Sequence, residues 1–551
     1  MLACWVGAVP VAAAEPFSNP FGIQLRPKPD AMAAVRAPVV VRPAPTNEMC
    51  LVRRSDGTLE LYGIAKPASD AVEVRRSLDG GLTWPEPEVA FALPGKAYYA
   101  VQVLEAADGG LHAVVHLYGE GPGGYRGRLY EVYHASRVRA AARWSEPRRI
   151  VPGYVGSIRG FTQLRTGRLV LAVARAIPER EKPPASGPDH GWNDTFVYHS
   201  DDAGQTWRLS PDTLSLALAG PNATRYGAIE PVLLELRDRV WMLVRDRGGR
   251  LWESSSSDGH RWAPLSRTEF ISSDSPAGLL RLRDGRIVLF TNACQNWSDP
   301  RSYAMGGREV LHAAISGDEG RTWRGFREVW QETVAVARGD RGTAYPSAVE
   351  TDSGRVVVVS GQGEGKRALF LFDPAWLEET AVQDDLSHGL VAWTQYGAEG
   401  IRVGSGREGG RRLELPASSA GRQGASWNFP AATDGEVRLR LEASEGVSGL
   451  QLCLNDHFTR VDDERAAEHA VATVAWNDLG PKTGTGPHAI VLDWTALDRA
   501  GKIRIAVDGR TVAEVSARRP ARHGVNYLRV EFRAEAKGAG VSLASVEMRR
   551  K

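Results

Sequence analysis

Glu230, Arg245, Arg308 and Tyr345 are residues whose types make a reaction centre if the fold gathers them. Two arginine forks converging on one point grip a carboxylate through charge-assisted, bidentate bonds. A tyrosine beside a glutamate can pass its proton to that glutamate and attack an anomeric carbon. A neutral tyrosine suits a substrate that already carries a carboxylate near the reacting carbon, because a carboxylate nucleophile would be repelled. His116, in the run HAVVHLYGEG, and the insertion around His190, Trp192 and Asn193 are candidates for shaping a pocket, with Trp192 as a sugar-stacking platform. Each has a plainer alternative. The arginines can be paired strand ends, Glu230 a solvated turn residue, Tyr345 a core aromatic and His116 a structural histidine.

Elements that would position these residues are legible as an internal repeat. Ser77-Leu-Asp79-Gly-Gly81-Leu-Thr83-Trp84 reads S-x-D-x-G-x-T-W, and the pattern returns at Ser200–Trp207 and at Ser316–Trp323. A copy one residue shorter runs from Ser256 through Asp258 to Trp262, and a fainter echo is His134-Ala-Ser136 followed by Trp144. The serines at 77, 136, 200, 256 and 316 are 59, 64, 56 and 60 residues apart. Each box sits between β-like runs, so it reads as a short Asp/Gly turn whose Trp packs into the sheet. A calcium loop would need more oxygen ligands than one Asp and one Ser supply.

A period near 60 suits one four-stranded sheet with generous loops, and radial repetition of such sheets makes a six-bladed β-propeller. The predicted blades span about residues 30–378, within a domain over 15–380. The last unit, around 343–373, has no box and is expected to close the ring with the first strands around Glu48–Tyr62. From 385 to 551 no box appears, but short β runs such as EVRLRLEA and KIRIAVDG continue. They predict a C-terminal β-sandwich that either braces the propeller or binds carbohydrate. The fold class is all-β.

With 42% hydrophobic and 24% charged residues, the chain is no disordered, collagenous or coiled-coil protein. Lys and Arg number 68 against 66 Asp and Glu, with no block of like charge, so nucleic acid is not an expected partner. Cys4, Cys50, Cys294 and Cys453 fit no metal or redox spacing, and no apolar run reaches membrane-span length. Residues 1–14 are uncharged and end in small residues before Glu15. They read as a signal peptide lacking its basic start, which predicts a secreted or periplasmic protein.

The boxes on a six-fold repeat resemble those of the sialidase (neuraminidase) superfamily. There a Glu opens a strand pair that an Arg ends, and the stretch Glu230-Pro-Val-Leu-Leu-Glu235 through to Arg245 follows that pattern with one residue fewer in the turn. A second family Arg precedes a box by eight residues, as Arg308 precedes Ser316. The family's nucleophilic tyrosine is matched by Ala344-Tyr345-Pro346-Ser347. Two positions depart. The resemblance puts Asn47 where a first-blade Arg belongs, and an amide brings no charge. It puts Ala71 where the acid/base Asp belongs, six residues before the first box serine, so the neighbouring Asp70 is the candidate proton donor, in a loop.

The resemblance implies an exo-acting, retaining glycoside hydrolase that removes a terminal acidic sugar: sialic acid, a uronic acid or another ulosonic acid. Tyr345 would attack, Glu230 take its proton, Asp70 protonate the leaving oxygen, and Arg245 and Arg308 hold the carboxylate beside Asn47. The expected partner is an acidic glycan, with no cofactor or metal. Two readings stay open beside it. One is a polysaccharide lyase in which Tyr345 or His116 abstracts a proton next to a uronate carboxylate; the other is a non-catalytic glycan-binding propeller.

Overall fold

The computed structural model describes residues 17–18, 24–27 and 49–551, apart from 65–67, 99, 120–128, 142, 177–192, 217–226, 299–306, 334–341, 362–367, 391, 397–400, 407–409, 417–421, 446, 460–462, 480–485, 500 and 535–538. Within that span six antiparallel sheets follow one another. The first comprises Cys50–Arg53, Leu59–Gly63, Ala68–Ser77 and Glu88–Tyr98; the second Val101–Glu105, Leu111–Gly119, Leu129–Arg137 and Arg148–Val151. Gly160–Gln163, Leu169–Ala176, Asn193–Ser200 and Arg208–Leu214 make the third, and Ile229–Glu235, Val240–Arg245, Arg250–Ser256 and Ser266–Ile271 the fourth. The fifth is built on Gly278–Arg281, Ile287–Thr291, Val310–Ser316 and Arg324–Thr333, and the sixth on Ser347–Glu350, Val356–Ser360 and Ala368–Phe372. The first strands of successive sheets neighbour one another around a closed circuit, the sixth touching the first. This is a six-bladed β-propeller.

Ring closure differs from expectation. The first strands belong to their own four-stranded blade, so they are not available to complete the last one. Among the described residues the sixth blade has three strands, and it meets the first blade by packing: Leu51 and Leu59 share an apolar cluster with Val357 and Leu371. Hydrogen bonds from Leu51 N to Ser347 Oγ, at 3.0 Å, and from Arg53 Nη2 to Asp352 Oδ1 cross the seam. The N-terminal strand instead joins the fifth blade, where Gln24–Pro27 pairs with the outer edge of Arg324–Thr333.

The boxes fold as the turns their residues dictate. In the first, the Asp79 carboxylate accepts from Ser77 Oγ (2.7 Å), Thr83 N (2.9 Å) and Thr83 Oγ1 (2.6 Å). Trp84 Nε1 donates to Gly81 O at 3.0 Å, which lays the indole into the blade. Gly81 holds φ +90°, and a Cβ there would meet Val357 at 2.9 Å, so only glycine serves. The boxes at Asp202 and Asp318 repeat the carboxylate's bonds, and the short box keeps its serine–aspartate and Trp262–Gly259 bonds without the threonine. The aspartate oxygens are therefore taken up by the turn's own donors.

After a short 3-10 helix, Pro374–Glu378, the chain enters a two-sheet sandwich. Its larger sheet is centred on Gly435–Ala443 and Gly540–Arg550, with Ala381–Asp384 alongside the latter; its smaller is centred on Arg422–Ala432 and Val525–Ala534. Strict alternation along Gly435–Ala443 buries Val437, Leu439 and Leu441 between the sheets and turns Arg438 and Arg440 outward. The sandwich is fastened to the fifth blade. Cys294–Gln295 pairs in parallel with Phe458–Thr459. Buried Tyr527 Oη donates to Glu328 Oε1 (2.7 Å) and meets His312 Nε2 (2.6 Å). Trp297 stacks on His469 at 3.9 Å. Bracing, one of the two roles expected of the sandwich, is thus visible in its contacts.

Cys50, Cys294 and Cys453 are buried and unbridged, and burial pushes each thiol's pKa up. Among the described residues no helix is long and apolar enough to cross a membrane. Residues 1–14, read as a signal peptide, lie outside the described residues.

Candidate functional site

Glu230 stands near the start of the innermost strand of the fourth blade, and the hairpin that follows brings Arg245 back beside it through the Ile229–Arg245 pairing. Arg245 Nε donates to Glu230 Oε2 at 2.7 Å. Tyr345, two residues before the innermost strand of the sixth blade, donates from Oη to Glu230 Oε1 at 3.2 Å. One carboxylate is thus held by an arginine on one oxygen and a phenol on the other. Glu230 (φ +52°) and Tyr345 (φ +59°) both occupy the left-handed region. Such conformations cost a non-glycine residue about 1–3 kcal/mol, and they concentrate where a side chain must be aimed.

The turns that carry Tyr345 are fixed on both sides. Thr343 N donates to Arg308 O at 2.7 Å, and Ser360 Oγ donates to Thr343 O at 2.5 Å. Gly342 (φ +92°) lies so close that a Cβ would sit 2.3 Å from Arg308 O.

Asp274, on the link between the fourth and fifth blades, is the residue that sequence reasoning missed. Its side chain is fully buried, and Arg245 Nη1 binds both its Oδ1 and, at 2.9 Å, its backbone oxygen. Arg308 Nε and Nη2 donate to the same backbone oxygen at 3.1 and 2.6 Å. Arg247 Nε reaches Asp274 Oδ2 at 3.2 Å. The two arginines expected to hold a substrate carboxylate therefore meet on Asp274. Arg245 in addition orients Glu230. A short Ser-Ser-Asp-Ser-Pro link carries no motif, so no sequence signal marked it.

Arg159 is the second residue missed. It lies just before the innermost strand of the third blade, with its guanidinium 5.9 Å from the centre of the Tyr345 ring; that of Arg308 is 5.4 Å away. Arg159 Nη2 donates to Pro346 O, the residue after Tyr345.

His116 is fully buried, 5.9 Å from the Tyr130 ring. Burial pushes its pKa down to about 3, against a hydrogen bond to the Gly156 backbone. Asp70 is a correction: it lies in the strand Ala68–Ser77, not in a loop, and its exposed side chain pairs with Lys96 Nζ at 3.2 Å. That bond holds its carboxyl below the ordinary range, the reverse of what a proton donor needs. Asn193 is buried in its strand, while Asn47, His190 and Trp192 lie outside the described residues.

Asp246, next to Arg245, has a carboxyl raised to about 6, chiefly by burial; bonds from Gly248 N and Trp252 Nε1 work against this, and the Asp274 charge adds to it. Among the described residues no three His, Cys, Asp or Glu side chains gather as a metal site would need.

A model of the BNR repeat-like domain matches residues 69–358, which begin in the first blade and end in the sixth. The chain belongs to the BNR repeat-like domain family. This BNR repeat-like chain agrees with the resemblance carried by its boxes. Among solved structures it is similar to Trypanosoma rangeli sialidase in complex with 2,3-difluorosialic acid as covalent intermediate, at 15% identity over 97% of this chain and 93% of that one, with a TM-score of 0.41. A protein of unknown function from Dyadobacter fermentans is similar at 18% identity over 61% and 97%, with a TM-score of 0.43. The NanB sialidase of Streptococcus pneumoniae is similar at 12% identity over 60% and 69%, with a TM-score of 0.40. No curated protein matches this BNR repeat-like sequence.

Proposed function

We propose that the chain is a retaining glycoside hydrolase that releases a terminal acidic sugar through Tyr345. The observation that carries this reading is the Tyr345 Oη–Glu230 Oε1 contact of 3.2 Å among buried arginines. As the phenol oxygen bonds to the anomeric carbon, its proton passes to Glu230 and the glycosidic C–O bond breaks, the departing oxygen taking a proton from a water molecule. The hydroxide so formed then attacks the same carbon, the bond to the phenol oxygen breaks, and Glu230 returns its proton to Tyr345. Arg245 keeps the Glu230 carboxylate turned toward the phenol. Asp70, ionised and paired with Lys96, is left out of this scheme. The uncharged leader at residues 1–14 fits a secreted or periplasmic enzyme that meets glycans outside the cytoplasm.

Mass spectrometry of products from sialylated and uronate-containing glycans tests the reading. A released acidic monosaccharide carrying one added water supports hydrolysis, and Tyr345→Phe should then abolish release while leaving glycan binding near the wild-type level. An unsaturated product without the added water, from a uronate chain, overturns hydrolysis and recasts Tyr345 as a base. Binding without any product, even with concentrated protein, overturns catalysis altogether.

A further inference from the structure

Asn292 sits one residue past Ile287–Thr291, the second strand of the fifth blade, and it is fully buried. Its side chain meets three segments that carry site residues. Oδ1 accepts from Ser275 Oγ at 2.6 Å, and Nδ2 donates to Val310 O at 2.7 Å and to Thr343 Oγ1 at 2.9 Å. Its backbone oxygen accepts from Ser273 N at 2.8 Å. Ser273 and Ser275 flank Asp274, Val310 lies two residues after Arg308, and Thr343 lies two before Tyr345. The partners fix which way the amide points: a backbone carbonyl only accepts, so the atom facing Val310 O is the nitrogen.

The two halves of the reactive pair depend on these segments separately. Asp274 fixes Arg245, which holds the Glu230 carboxylate, whereas the Thr343 turn carries the phenol. Glu230 and Tyr345 come from the fourth and sixth blades, and Asn292 stands in the blade between them. Its bonds from Ser273 and Ser275 reach the glutamate side. Its bond to Thr343 reaches the tyrosine side, where the Thr343 hydroxyl in turn donates to Arg308 O at 3.1 Å. Asparagine supplies two donors and an acceptor at this length, whereas aspartate has no donor, leucine no polar atom, and glutamine is a methylene longer. The segment is also anchored from behind: Ala293 N donates to His312 Nδ1 at 3.3 Å, and Ala293 O accepts from Phe458 N of the sandwich at 2.8 Å.

We infer that Asn292 is a positioning residue for the reaction: it sets how the Tyr345 phenol stands to the Glu230 carboxylate by tying the Thr343 turn to the Asp274 link. It acts through Thr343, Ser273 and Ser275, not on the sugar. This inference rests on the proposed function, and it extends the site to the fifth blade and to the sandwich strand that holds Ala293. Misplacing a reacting atom by about 1 Å can cost roughly 100-fold in rate, so such a node is read in kcat and not in stability alone.

The test uses the full chain with 3-fluorotyrosine in place of Tyr345, whose fluorine NMR line reports the surroundings of the phenol without any substrate. Asn292→Ala and Thr343→Val should each shift or split that line. Asp318→Ala, which loosens a box turn of the same blade, should leave it in place. On 4-methylumbelliferyl glycosides of N-acetylneuraminic acid and glucuronic acid, the first two variants without the label should lose roughly 10- to 100-fold in kcat, with KM within about twofold. An unmoved line in both, or a line that moves equally in Asp318→Ala, would make Asn292 a structural residue and overturn the inference. So would a wild-type kcat in Asn292→Ala, which leaves hydrolysis by Tyr345 standing. If the wild type turns over neither glycoside but the fluorine line responds as expected, the catalytic reading fails and the positioning stands. Should Asn292→Ala not fold, Thr343→Val keeps the shape of the side chain and decides by the same criteria.

Discussion

At the scale of the residue, Asp274 and Arg245 carry the greatest structural stake. Arg245 is almost wholly buried, and its donors are divided between Glu230 and Asp274. Removing one partner of such a buried pair leaves a charge without compensation, at a cost of about 3–5 kcal/mol. Asp274→Ala should therefore lower stability by that order, seen as an earlier midpoint in urea with an unchanged slope. Asp274→Asn, which keeps the volume and one acceptor, should cost less than half as much. A neutral effect of Asp274→Ala would mean that water or another carboxylate takes its place. Glu230→Gln removes the proton acceptor but keeps the shape, so it should reduce turnover as severely as Tyr345→Phe while folding normally, read by product release alongside circular dichroism.

At the scale of the element, the box turns are self-contained. The Asp318 carboxylate accepts from Ser316 Oγ, Thr322 N and Thr322 Oγ1 at 2.9, 2.8 and 2.6 Å. Asp318→Ala should cost about 1–2 kcal/mol in a urea titration, and no change would show that the turn is held by its tryptophan alone. In the third blade, Asp202 is kept down to about 2, first by the Thr206 hydroxyl and amide and in spite of a little burial. Its folded pKa lies below the unfolded one, so its contribution is complete above about pH 4 and fades as pH falls through about 2. This self-containment is why the sequence disclosed the propeller so readily. Each box writes its bonds within eight residues, and Glu230 and Arg245 share one hairpin, so spacing alone pairs them. Asp274 and Arg159 were hidden because their partners lie on other blades. Nothing in Ser-Ser-Asp-Ser-Pro or Gly-Ser-Ile-Arg-Gly tells which turns the ring will bring beside them. Closure of the ring was misjudged for a related reason: alternation along a strand gives its buried faces but not its neighbour at the edge.

For the molecule as a whole, propeller and sandwich share buried polar contacts, and these set how it comes apart. Tyr527, Glu328 and His312 are joined by bonds of 2.7 and 2.6 Å at the seam, and Asp463 accepts from Ser298 N and Oγ at 3.0 and 2.6 Å. Opening that seam exposes paired polar groups together with apolar Phe458, so calorimetry should show one unfolding transition, not two. Acid acts on the whole fold as well. Burial first holds His116, His134 and His523 neutral, with pKa values near 3, 3 and 4 against an ordinary 6.5. The unfolded chain takes up protons at these sites as pH drops below about 6.5 and the folded one does not, so stability falls. Asp246, raised to about 6, works in the opposite sense between its ordinary 3.8 and that value, but it is one group against three. The thermal midpoint should be lower at pH 5 than at pH 7; an equal or higher one would mean that the imidazoles are protonated in the folded state.

The three buried thiols turn this architecture into a set of built-in reporters. Cys50 lies in the first blade, Cys294 at the seam and Cys453 in the sandwich, each shielded from any reagent while the surrounding strands stay paired. A maleimide added at rising urea would tag each only when its own region opens. Equal tagging rates at all three would mark a chain that opens all at once, whereas early capture of Cys294 would show the two halves parting before either melts.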